Sequence, residues 1–320
     1  MKSEQILRKD VSVVQHGHIL IDKQWQPSGV TAQFTQDADT YHARYFNRLD
    51  FENLLDRMLS LAGICRTARL TILDIGSGGG SSVFAAAKLL PKSHIVGSDI
   101  SPQLLEKMAA FTASSDEFRD RVSAYCFDLH KPFFRQDSFD AVIGCAILHH
   151  LVDPYAALTN VVFALKEGGK VILCEPLEAG NLINAIIYEA VITLQREVGT
   201  SVDERLSKLM FAMRCDIFAR LGVPEVKPYT RDLDDKWVFD PTYLAGLAKQ
   251  LGMKNVEVFP VMQDLTTIFE TTFRSFLTES GNADIVLPAK VLGLLREFDS
   301  GICSSLKSRF CSTGIFVFTK

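Results

Sequence analysis

With 320 residues, 47% of them hydrophobic, the chain can bury a sizeable core yet falls short of two large domains, so one extended unit with insertions is expected. A formal charge of −4 gives no general attraction to a phosphate backbone and argues against a nucleic-acid binder. The first ten residues are charged where a signal peptide needs apolar ones, no apolar run approaches the roughly 20 residues that span a bilayer, and the seven cysteines form no CxxC pair; a cytoplasmic protein with no membrane partner and no metal site is expected, its cysteines acting as small buried hydrophobes.

Residues 1–40 are polar and irregular, punctuated by Gly17, Pro27 and Gly29. Phe51, Leu54, Leu55, Met58, Leu59 and Ala62 recur on one helical face that Gly63 ends. From Leu70 the rhythm changes to short apolar runs alternating with helical stretches. The spacing predicts a strand over Leu70–Ile75, a helix over Ser82–Leu90 closed by Pro91, and a strand over His94–Ser98. A helix follows over Pro102–Phe111, with Ser101 as its hydroxyl cap and proline at its first position. Strands Val122–Phe127 and Phe139–Ala146, helix Pro154–Leu165 stopped by Gly168-Gly169, and strand Lys170–Cys174 complete the order β-α-β-α-β-β-α-β, that of a doubly wound α/β sheet.

After Pro176 helices take over. Ile183, Ile186, Ile187, Ala190, Val191 and Leu194 make one amphipathic stripe. Leu206, Leu209, Met210, Met213, Ile217 and Leu221 make another, ended by Gly222 and Pro224. The α/β pattern returns with a helix at Pro241–Leu251 capped by Asp240 and a strand at Asn255–Val261. Helical stretches at Leu265–Leu277 and Pro288–Phe298 precede a last strand at Gly314–Thr319.

The chemistry concentrates at the end of the first core strand, in Thr71-Ile-Leu-Asp74-Ile-Gly76-Ser77-Gly78-Gly79-Gly80. Glycines there allow positive φ and let a ligand lie against the backbone. Asp74 can accept hydrogen bonds from an ammonium, and Asp99, ending the second strand, can take both hydroxyls of a ribose. A dinucleotide fingerprint would need glycine at Ser81, and the carboxylate two residues before the first glycine would repel a pyrophosphate. The pattern suits the amino-acid tail of S-adenosylmethionine.

These residues resemble the motifs of class I S-adenosylmethionine-dependent methyltransferases, in particular the small-molecule group related to ubiquinone and menaquinone biosynthesis. Leu73-Asp74-Ile75-Gly76-Ser77-Gly78-Gly79-Gly80 looks like that family's first motif, and Asp99-Ile100-Ser101 like its second, where the acid holds ribose and Ile100 packs on adenine. Phe127-Asp128-Leu129 is similar to the third, in which Asp128 receives the adenine amino group. The run from Phe139 through Cys145 to His149-His150-Leu151 resembles the fourth, whose backbone lines the methionine end, and Leu165–Leu173 the turn into the fifth strand. The resemblance implies a Rossmann-like seven-stranded sheet in the order 3-2-1-4-5-7-6 with the last strand antiparallel, and S-adenosylmethionine held by Asp74, Gly76, Ser77, Gly78, Gly80, Asp99, Ile100, Asp128, Leu129 and Cys145.

On this reading residues 1–64 are an N-terminal helical or irregular cap segment, 65–177 the cofactor-binding core, 178–238 a helical cap insertion over the acceptor pocket, and 239–320 the rest of the core with a helical insertion at about 264–310. Methyl transfer needs mainly alignment of acceptor and donor, with a base only where the acceptor must lose a proton. His149, His150 and Glu175 are the candidate catalytic groups, and Tyr41 and Tyr45 are candidates to close over the cofactor. Apolar cap helices with Phe211, Phe218 and Trp237 point to a small, partly apolar acceptor methylated on O, C or N. The alternatives are a cofactor-binding enzyme of non-methylating chemistry and a noncatalytic binding protein; a homodimer stays open.

Overall fold

The computed structural model describes residues 5–26, 32–46, 48–197, 203–222 and 233–320; Pro27, Gly29 and Pro224 lie outside them. Two short strands, β1 (Val13–His16) and β2 (Ile19–Asp22), open the chain, followed by helices α1 (Ala32–Thr35), α2 (Ala38–Tyr45) and α3 (Arg48–Leu61). The alternating core runs β3 (Thr71–Ile75), α4 (Ser81–Leu89), β4 (His94–Asp99), α5 (Pro102–Ser114), β5 (Val122–Cys126), β6 (Phe139–Cys145), α6 (Pro154–Ala164) and β7 (Leu165–Pro176). Helices α7 (Glu178–Glu197) and α8 (Glu204–Arg220) come next, then α9 (Pro241–Gln250) and β8 (Lys254–Pro260). The chain ends with α10 (Ile268–Glu279), α11 (Ala289–Gly301), α12 (Ser304–Lys307) and β9 (Thr313–Thr319).

The sheet order is β1-β2-β5-β4-β3-β6-β7-β9-β8. Counting from β3, its last seven strands stand in the order 3-2-1-4-5-7-6, with β9 antiparallel to both β7 and β8. The sheet as a whole has nine strands, so the seven-stranded expectation is corrected at one edge. Gly17, at φ +56, lets β1 and β2 turn back on each other, and β2 pairs parallel to β5. The N-terminal segment therefore extends the sheet as well as covering it.

Strand periodicity divides the core between the two faces. Along β9, Phe316 and Phe318 join one buried cluster while Ile315 and Val317 join the other. Removing such a side chain from water is worth about 1.5–3 kcal/mol. Along β3, Leu73 and Ile75 face the first cluster, whereas Ile72 faces the second, towards α3, α4 and α5. Period two puts Asp74 on the Ile72 side, beneath α4.

β7 starts earlier than the glycine pair suggests. Leu165 pairs with Phe139, Lys170 with Ala141, and the residues between form an irregularity that contains Gly168-Gly169. The glycines bend a strand rather than stop a helix.

The two helical stretches expected as insertions share a core. Ala185, Ile187, Tyr188 and Val191 of α7, Leu206, Met210 and Ile217 of α8, Phe269 and Phe273 of α10, and Val291 and Leu295 of α11 share one core. The buried face of α7 is rotated from the expected stripe: Asn184, Ala185 and Tyr188 turn inward and Ile186 stands 58% exposed.

Candidate functional site

Gly76, Gly78 and Gly80 adopt φ +67, +50 and +98 in the turn between β3 and α4. A Cβ on Gly76 would lie 2.6 Å from Ile147 and one on Gly80 2.6 Å from Met108, whereas one on Gly78 would enter open space. The first and third glycines thus fit the turn against its surroundings, and the second leaves bare backbone facing a cavity. That cavity, about 600 Å³, lies at the carboxyl ends of β3, β4 and β6, where ligands of open α/β sheets bind.

Of the residues expected to hold the cofactor, Gly76, Ser77, Gly78, Asp99, Ile100, Asp128, Leu129 and Cys145 line it. Asp99 ends β4 and ties the turn together: Gly78 N–H donates to its Oδ2 and Ser101 N–H to its Oδ1, each at 2.8 Å. Burial lifts its pKa above the ordinary carboxylate value. Ile100 is fixed through its carbonyl, which accepts Trp25 Nε1–H at 2.9 Å. Asp128 meets the Nδ1 of His130 at 2.7 Å. Cys145 ends β6 with its sulfur 3.8 Å from that of Met58, and burial pushes its thiol pKa up, so it stays neutral.

Two of the residues expected to hold the cofactor stand behind the cavity surface instead. Gly80 closes the turn at the start of α4, and Asp74 is fully enclosed beneath it, its Oδ2 accepting the Ser82 hydroxyl at 2.5 Å and its Oδ1 lacking a protein partner. Burial, opposed by the Ser82 hydrogen bond, lifts the Asp74 pKa to about 7. Direct contact between Asp74 and a ligand ammonium is absent from this geometry, and the hydrogen bond expected of Asp74 would need a bridging water.

The sign of the consequence follows from linkage. A carboxyl that titrates at 3.8 unfolded and about 7 folded stabilises the fold below pH 3.8, and that contribution is lost as pH rises to about 7. The loss reaches about 4 kcal/mol when converted from the shift. Asp74→Asn keeps an acceptor for Ser82 and removes the titration. Its unfolding free energy relative to the native chain should therefore rise between pH 5 and pH 8, and parallel stability curves would show that Asp74 carries no such penalty.

Two of the candidate catalytic groups, His149 and His150, sit on a 3-10 turn, Leu148–His150, beyond β6. Glu175 of β7 builds this turn. Its Oε1 accepts Ile147 N–H at 3.0 Å and Leu148 N–H at 2.8 Å, and its Oε2 accepts His149 N–H at 3.3 Å and lies 2.7 Å from His149 Nδ1. Completely buried and outside the cavity lining, Glu175 is corrected from candidate base to a residue that positions the histidines.

His149 and His150 both line the cavity. Burial alone would depress the His149 pKa, but its contacts with Asp235 and Glu175 outweigh this and push it up to about 9. His150 is driven the other way, to about 3, by burial and by the neighbouring His149 charge. Neither is poised near neutrality as a general base should be. Between them lies Asp235, whose Oδ1 is 3.5 Å from His149 Nε2 and 3.3 Å from His150 Nδ1 while its Oδ2 is 3.3 Å from Arg220 Nη1.

Tyr41 and Tyr45 of α2 line the cavity with rings 4.7 Å apart, and Phe34 stacks edge-on to both Tyr41 and His150. Phe46 and Phe51 continue this aromatic wall. The expected apolar residues are elsewhere: Phe211 and Phe218 are 51% and 52% exposed outside the cavity lining, and Trp237 is buried in the sheet core with its Nε1 donating to the Leu151 carbonyl. Sequence reading missed Phe34, Arg220 and Asp235. Only the adjacent acids Asp234-Asp235 before a tryptophan offered a signal, and nothing tied them to His149, 86 positions earlier.

Residues 73–171 match a family model described as a methyltransferase domain. The chain is 30% identical over 150 residues to a demethylmenaquinone methyltransferase of Clavibacter sepedonicus, which covers 47% of this chain and 59% of that protein. It is also 30% identical over 121 residues to an uncharacterised methyltransferase of Schizosaccharomyces pombe, covering 37% and 42% respectively. The chain thus spans about half the length of these relatives. Among solved structures, phosphoethanolamine N-methyltransferase 2 of Haemonchus contortus, in complex with S-adenosyl-L-methionine, superposes with a TM-score of 0.52 at 16% identity, over 94% of this chain and 61% of that one, a likeness of fold alone.

Proposed function

We propose, from the premise that residues 73–171 form a class I S-adenosylmethionine-dependent methyltransferase domain, that this chain moves a methyl group from that donor to a small, partly apolar acceptor. The observation that carries the reading is the Gly76–Gly80 turn, whose bare Gly78 backbone opens, beside Asp99, into a cavity of about 600 Å³. The residues fit the donor. The turn would hold the methionine portion, Asp99 the ribose hydroxyls, and Ile100, Asp128 and Leu129 the adenine. When bound, the donor supplies an already activated methyl group.

The chain's own task is alignment and exclusion of water. The aromatic wall from Phe34 to Phe51 favours an acceptor with an apolar body, taking over the part first given to Phe211, Phe218 and Trp237. His149, His150, Arg220 and Asp235 form a polar end that would orient the acceptor's reacting group. No helix among the described residues is long and apolar enough to cross a membrane.

The test is incubation of purified protein with methyl-labelled donor and fractionated metabolite extracts, beside calorimetry with S-adenosylhomocysteine. Micromolar binding and label in a low-mass product are expected. Well-folded protein that gave no heat with donor or demethylated donor would overturn the reading.

A further inference from the structure

At the polar end of the cavity two histidine nitrogens converge on one carboxylate oxygen. His149 places Nδ1 against Glu175 Oε2 at 2.7 Å, so the imidazole donates there and turns Nε2 toward Asp235 Oδ1 at 3.5 Å. Without a metal that Nε2 carries a proton toward Asp235, but 3.5 Å is long for an N–H···O bond, and a divalent cation between the two atoms would take the proton's place. His150 brings Nδ1 to 3.3 Å from the same oxygen. One ligand atom from each of these residues lies within 4.8 Å of the others.

We propose that His149, His150 and Asp235 form a binding site for a divalent transition cation of the Zn²⁺ type, open to the acceptor cavity. Two ligands at about 2.0–2.1 Å from a tetrahedral ion stand about 3.3 Å apart, close to both separations here. Imidazole and carboxylate are the donors such ions take, and three protein ligands leave a fourth position for water or substrate.

The surroundings are those of a prepared site. Glu175, wholly buried, orients His149 from behind, the carboxylate–histidine arrangement that fixes which nitrogen is presented to a metal. Arg220 occupies the other oxygen of Asp235, at 3.3 Å, so the carboxylate is offered through one atom. The Asp234 carbonyl, 2.9 Å from His150 Nδ1, is that nitrogen's partner in the metal-free protein and a further oxygen at the same place. Asp235 comes from the end of the first helical insertion, residues 178–238, so the ion joins that segment to the turn after β6. The site rests on geometry alone; only its purpose, a Lewis acid beside the acceptor, rests on the methyl-transfer reading.

The experiment uses the full chain free of any histidine tag, stripped with chelator and titrated with ZnCl₂ by calorimetry and with CoCl₂ by visible absorption. One equivalent should bind with a Kd below about 1 μM, and Co²⁺ should give the intense visible bands of a four-coordinate ion. Asp235→Asn, nearly isosteric, and His149→Ala should each weaken binding at least tenfold, and Glu175→Gln by about 10–100-fold as an orienting partner. S-adenosylhomocysteine affinity, measured on the same samples, separates this proposal from the methyl-transfer reading. Metal uptake without nucleoside binding supports the site and sinks that reading. Protein that binds S-adenosylhomocysteine but takes up no stoichiometric metal, or uptake unchanged in Asp235→Asn, overturns the site.

Discussion

Glu175→Ala is expected to lower the unfolding free energy by about 3–5 kcal/mol, the cost of breaking a buried ion pair by removing one partner. The carboxylate is fully enclosed and meets three consecutive backbone N–H groups, from Ile147 to His149, as well as the His149 ring. Deletion leaves those donors in a site too closed for water to replace the oxygens, and leaves an imidazolium without its nearer counter-ion. The turn also follows a strained residue. Ala146, at φ +57, is held in the left-handed region just before the turn, its N–H donating to the Cys174 carbonyl. Urea titration should show the midpoint falling at unchanged slope. Glu175→Gln, which keeps one acceptor oxygen for the turn but opposes an amide N–H₂ to the remaining donors, should fall between. A loss under about 1 kcal/mol for the alanine variant would mean that the turn is held by its packing alone.

What could be read from the chain before its structure, and what could not, follows from how local each signal is. The strands from β3 to β7 are short apolar runs buried on both faces, and the Gly-rich turn announces itself because only glycine takes its positive φ cheaply. The β1–β2 hairpin escaped because its strands are four residues each, and β1 is mostly exposed, leaving almost no apolar alternation to detect. Gly168-Gly169 read as a helix stop because a strand irregularity and a C-terminal cap ask for the same residue.

Longer-range facts leave weaker traces. The stripe on α7 was apolar over more than one face, and its partners α10 and α11 lie 70 or more residues away, so periodicity could not say that Tyr188 would turn inward and Ile186 outward. The site divides the same way. Gly76 to Gly80, Asp99 and Asp128 are set by the ends of β3, β4 and β5 in one continuous βαβαβ stretch. Asp235 and Arg220 reach the histidines only through tertiary contacts, Lys236 N–H donating to the His149 carbonyl and Val238 N–H to that of Arg220 at the end of α8. Glu175 shows the remaining limit: strand position put it near the site, but whether it faced ligand or backbone depended on the turn it was itself holding.

Asp99→Ala should weaken S-adenosylhomocysteine binding at least 100-fold, about 2.7 kcal/mol. A hydrogen bond to a charged group contributes roughly 1.5–3 kcal/mol, and Asp99 offers a carboxylate to two ribose hydroxyls, so even the lower figure doubled reaches this loss. The side chain has a second employment that could mimic the first, since its Oδ2 also holds Gly78 N–H at 2.8 Å and thereby the shape of the turn. Methylthioadenosine distinguishes them, because it keeps the ribose and adenine but lacks the amino-acid tail that the turn would hold. If Asp99 acts on the sugar, calorimetry will give the same fold-loss for both ligands; if it acts through the turn, the loss will fall on S-adenosylhomocysteine and spare the shorter compound. Asp99→Asn should resemble the alanine variant, since an amide N–H₂ must then confront the N–H of either Gly78 or Ser101, both now within 2.8 Å. Binding within about threefold of the native value in the alanine variant would remove Asp99 from the site, and with it the argument that the second strand end reads a ribose.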